Sequence, residues 1–79
     1  MTLASLKPGQ SARILEIDEQ GDETLHRLSE LGFVAGQKIS VLKEAPLGDP
    51  IAVRIMNYEL CLRKKEAGRI MVVSETGGD

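Results

Sequence analysis

A six-residue stretch that cannot join a β-ladder, Ala45-Pro46-Leu47-Gly48-Asp49-Pro50, separates two runs that can. Before it, residues 37–44 alternate, with Ile39 and Val41 on one face. After it, Ile51, Val53 and Ile55 alternate against Ala52, Arg54 and Met56, the period-two signature of strands. Its two prolines lack the N–H that pairing needs, and Gly48 is free to take positive φ. The pattern predicts two antiparallel strands joined by a surface loop, and such loops carry function more often than the strands beside them. Leu47 is out of place at the tip, where polar residues are usual. It either folds back to cap the core or stands out as an apolar anchor for a partner.

The rest of the chain divides at equally local signals. Lys7-Pro8-Gly9 is a turn, with Leu3 and Leu6 before it to pin the N-terminus on the core. Residues 11–18 read as a strand with Ala12 and Ile14 on one face but Leu15 and Ile17 on the other, which calls for a bulge or two covered faces. From residue 23 to 31 the period becomes helical, with Leu25, Leu28 and Leu31 on one stripe and Asp22 placed as N-cap. Gly32 is placed to end that helix in the left-handed region, with Phe33 packing back on Leu28. Asn57 is the expected positive-φ residue of a tight hairpin. Tyr58, Leu60 and Leu62 then share a face, residues 63–67 form one helical turn, and residues 69–74 form a last strand. Five short strands, a helix inserted early and a one-turn helix before the last strand predict a small closed β-barrel of mainly β class.

With 79 residues there is room for one domain, and a chain of this size buries only about 60–65% of its unfolded surface. Ten basic residues are scattered among twelve acidic ones, for a net charge of −2. That balance disfavours nucleic acid and anionic membrane surfaces, and no apolar run approaches a membrane span. One cysteine allows no internal disulfide, and the N-terminus lacks a signal-peptide run, so a cytoplasmic chain is expected. The domain is expected to cover residues 1–75, with 76–79 as a disordered tail.

Taken together, Leu31-Gly32 at a helix end, Gly36, the 45–50 loop, and then Leu62-Arg63 and Glu66-Ala67 resemble the FeoA family. These are small SH3-like proteins that accompany FeoB, the membrane ferrous-iron transporter with a cytosolic GTPase domain. The likeness runs over residues 3–73. The chain departs from it at Ala35, where proline is common, and at Asn57, where glycine is usual. The resemblance implies a five-stranded SH3-like barrel and a non-enzymatic cytosolic accessory protein of ferrous iron uptake that binds or regulates FeoB. It also implies kinship with the SH3-like domain of metal-dependent repressors, so a regulatory domain stands as an alternative.

On that reading the contact residues are Leu47, Gly48 and Asp49 of the loop and the basic run Arg63, Lys64 and Lys65. Leu47 would fill a pocket, and the cations would set electrostatic register. The helix face bearing Arg27 and Glu30 is a second candidate surface, and weak self-association through a barrel edge or the Leu47 loop is a further one. A metal carrier or sensor would have to use Cys61 or His26, yet transition-metal sites usually need three or four ligands, so no metal ligand or cofactor is expected. The cluster Asp18, Glu19, Asp22 and Glu23 lacks the alternation of a calcium loop. No nucleophile adjoins a base and no glycine-rich loop leads into a helix, so no catalytic residue is assigned.

Overall fold

The computed structural model describes residues 1–75; the expected tail, 76–79, lies outside the described residues. A 3₁₀ turn, Leu3–Ser5, leads into strand β1, Ser11–Ile17. Helix α1, Glu23–Glu30, is followed by β2, Lys38–Glu44, β3, Ile51–Ile55, and β4, Tyr58–Leu62. A one-turn helix, α2, Lys64–Ala67, precedes β5, Ile70–Ser74.

All pairings are antiparallel, in the order β4-β3-β2-β1-β5. Of the two arrangements left open for this strand, the bulge is present: the β1–β5 register shifts between Ile14 and Glu16, so Ile17, three residues after the buried Ile14, also packs against the core while Leu15 is exposed. A second shift, between Val41 and Lys43, lies in the β2–β3 pair. Strands β4 and β5 are the outer strands and form no ladder with each other. The barrel therefore differs from the closed ring expected. Helix α2 links β4 to β5 along the chain, and Leu62, Ala67 and Ile70 are buried along that link. The outer edge of β5 is partly covered by the N-terminus, where Thr2 bridges Met71 and the Val72 N–H donates to Met1 O at 2.9 Å. Leu3 and Leu6 are buried, as the turn signal implied.

Helix α1 begins as its sequence dictates. Asp22 Oδ1 accepts from the N–H groups of Thr24 at 2.9 Å and Leu25 at 3.4 Å, satisfying donors that a helix start otherwise leaves orphaned, worth about 1 kcal/mol. It ends on a Schellman closure. The Phe33 N–H donates to Leu28 O at 3.0 Å and the Gly32 N–H to Ser29 O at 3.3 Å, with Gly32 at φ +103°. Leu25, Leu28 and Phe33 are buried, but Leu31 is 46% exposed, contrary to the expected three-leucine stripe. The reason is local: Leu31 is the C-cap, where the chain has left the helical path at φ −94°, ψ 7°.

The β3–β4 hairpin also differs from expectation. Ile55 pairs with Tyr58, so the loop is Met56-Asn57, and the positive φ falls on Met56, at +56°, rather than on Asn57. A methyl group built on Gly32 would stand 2.6 Å from Met56 Sδ, so the Met56 side chain is held across the bare face of that glycine. The positive φ thus sits on the residue that packs over Gly32, not on the one with the greater intrinsic tolerance for it. Among the described residues no helix is long and apolar enough to cross a membrane.

Candidate functional site

The 45–50 loop is a braced structure. The Ala45 N–H donates to Pro50 O at 3.0 Å, and the Gly48 N–H donates to Ala45 O at 2.7 Å, closing a turn with Pro46 and Leu47 at its centre. Gly48, at φ +86°, then turns the chain back without the steric cost a side chain would bring. Of the two outcomes open for Leu47, the structure takes the second. Its side chain is 96% exposed and contributes nothing to the core.

The basic run is brought to the same place. Arg63 is the N-cap of α2 but carries no acceptor, so it cannot bond the first N–H groups of the turn. Asp49, from the loop, takes over that duty: its Oδ1 accepts the Lys64 N–H at 3.0 Å. Glu66 Oε1 accepts the Arg63 N–H at 2.9 Å, the return half of a capping box. The Lys64 side chain turns back to donate to Ala4 O at 3.3 Å and lies 3.7 Å from Glu44 Oε2. Lys64 is thus committed to holding α2 against the N-terminal turn and β2. The Arg63 and Lys65 side chains are exposed and form no ion pair with the described residues, which leaves their charge available.

Beside the loop lies an open groove of about 300 Å³ whose walls include Pro46, Pro50, Ala52 and Cys61, together with Lys43 and Glu44. Cys61 is exposed and free on β4. His26 is elsewhere: it is exposed on α1, with Nδ1 3.1 Å from Glu19 Oε1. Among the described residues, no group of three or more His, Cys, Asp or Glu side chains is placed to hold a metal ion. Of the six residues singled out in the sequence, Leu47, Gly48 and Asp49 are joined to Arg63 and Lys64 through one hydrogen bond, with Lys65 next in the chain. Glu44 and Ala4, which anchor Lys64, were not anticipated, since their partner lies far along the chain and no local pattern marks them.

Fold and site together define a small SH3-like barrel whose exposed apolar loop tip is tied by one hydrogen bond to a turn where Arg63 and Lys65 form no ion pair with the described residues. Residues 1–74 match the FeoA domain model. The chain belongs to the FeoA family, which serves ferrous iron transport. An Fe(2+) transport protein A/Fe(2+) transporter FeoB fusion protein of Porphyromonas gingivalis is 40% identical over 72 residues, which is 91% of this chain and 8% of the fusion. The chain thus spans a small fraction of that curated relative. The FeoA protein of Chlorobium tepidum is similar in structure at a TM-score of 0.88 and 39% identity, over 100% of this chain and 74% of that one. Zinc-complexed FeoA of Stenotrophomonas maltophilia, described as a procaryotic SH3 domain protein, is similar at a TM-score of 0.81 and 33% identity, over 92% and 89% of the two chains. A manganese-dependent transcriptional repressor shares the fold alone, at 21% identity and a TM-score of 0.82, over 94% of this chain and 36% of the repressor.

Proposed function

We propose that this protein is a non-enzymatic, cytosolic accessory module of ferrous iron uptake that acts by contact with the cytosolic side of a FeoB-type transporter. The observation that carries the reading is Leu47, 96% exposed on a loop that Asp49 ties to the basic turn. An exposed leucine on a flexible loop would lose ordering entropy on binding; one held on a braced loop has less to lose and is better suited to anchor a partner. Arg63 and Lys65, free of ion pairs with the described residues, supply electrostatic steering toward an acidic patch. The fusion of both activities' names in one Porphyromonas gingivalis chain supports association of the two proteins.

Calorimetric titration of the purified protein with the cytosolic domain of its FeoB tests the reading. Binding that is lost on Leu47→Asp, with no heat from ferrous iron, supports a contact module. Stoichiometric ferrous-iron uptake that depends on Cys61 replaces it with a metal handler. Absence of FeoB binding by the unmodified protein overturns it.

A further inference from the structure

The β3–β4 hairpin and the exit of α1 meet at one spot that the contact reading does not use. Three unusual features converge there. Met56 holds φ +56°, a conformation that side-chain-bearing residues seldom adopt. Its sulfur is seated over Gly32, yet the residue is 58% exposed. The Tyr58 hydroxyl is buried and has no hydrogen-bond partner among the described residues, and a methyl group built on Gly32 would stand 3.8 Å from it and 2.6 Å from Met56 Sδ, so both side chains border the bare face of that glycine. A buried donor without an acceptor costs stability, and a thioether is only a weak acceptor.

We infer that Met56 is a peroxide-oxidisable site whose sulfoxide is received by the Tyr58 hydroxyl. A sulfur lone pair attacks the hydroxyl oxygen of a hydroperoxide, the O–O bond breaks as the S–O bond forms, and the proton lost from the attacked oxygen goes to the departing one, which leaves as water or alcohol. Sulfur loses two electrons and the peroxide gains them. The product carries a strong acceptor in the region where the Tyr58 hydroxyl lacks one. Sulfoxide formation normally disrupts the packing of a methionine. Here the new oxygen completes an unsatisfied pair, so the modified hairpin stays docked on Gly32 while its surface turns polar.

The test uses the full chain treated with hydrogen peroxide and read by peptide mass spectrometry. Met56 is expected to react faster than the half-buried Met71. In a Met1→Leu/Met71→Leu background, oxidation is expected to lower Tm by about 4–8 °C more when Tyr58→Phe is added, the effect of one hydrogen bond in a chain of this size. Equal Tm losses with and without the hydroxyl, or a Met56 rate no greater than that of Met71, overturn the assignment. Should that background fail to fold, proton NMR of the unmutated chain decides: oxidation must move the Tyr58 ring resonances, and unmoved resonances reject the site.

Discussion

Asp49 and Lys64 stand fifteen positions apart in the chain, and the carboxylate of the first accepts the backbone N–H of the second at 3.0 Å. This bond joins the loop that exposes Leu47 to the turn that exposes Arg63 and Lys65. It ties two separate sequence features together. Asp49→Ala should therefore cost about 1 kcal/mol, the usual worth of a helix-start acceptor, and lower Tm by about 4–8 °C. Asn at this position retains an acceptor oxygen and should recover most of the loss. Thermal unfolding of the three proteins checks the ordering.

Leu47 makes the opposite prediction. Because its side chain is almost wholly exposed, Leu47→Asp should leave stability within about 0.5 kcal/mol of the parent while weakening FeoB association. A large fall in Tm would show that the leucine serves the fold instead.

The three cations of the basic run should separate under mutation. Lys64→Met removes the bond to Ala4 O and the contact with Glu44, and it should lower the denaturant midpoint. Lys65→Met and Arg63→Met should leave that midpoint nearly unchanged. They should instead reduce the dependence of FeoB association rate on ionic strength, since exposed charges act mainly through screened, long-range attraction.

Gly32 and Met56 should be coupled. Alanine at Gly32 would have to hold φ +103° and push against Met56 Sδ, a combined cost of about 1–3 kcal/mol. Met56→Gly removes both the opposing sulfur and the side chain's objection to positive φ. The double variant Gly32→Ala/Met56→Gly should recover part of the loss, giving a coupling of about 0.5–3 kcal/mol in a denaturant double-mutant cycle.

The features legible in the sequence are those whose causes sit within a few residues of each other. Asp22 caps α1 and Gly32-Phe33 close it because each bond spans one helical turn. The alternation of Ile39 with Val41, and of Ile51 with Val53 and Ile55, marks the inward faces of β2 and β3, and all five are buried. Leu31 misleads because the helical period was carried one residue beyond the point where the backbone leaves the helix. Asn57 misleads for another reason: its intrinsic tolerance of positive φ is real, but Met56, which packs over Gly32 more than twenty residues away, is the residue that takes it. The proposed contact residues are legible as two groups, and the bond that ties them is not. The Asp49–Lys64 bond and the anchoring of Lys64 to Glu44 and Ala4 O depend on the folded barrel, and no spacing rule announces them.

Strands β4 and β5, the two ends of the sheet, form no ladder with each other, and α2 is the clasp of chain that links them. The loop that bears Leu47 is fastened to that clasp. A partner that grips Leu47 should therefore also steady that link, slowing amide hydrogen exchange at Leu62 and Ile70 as well as at the surface it touches.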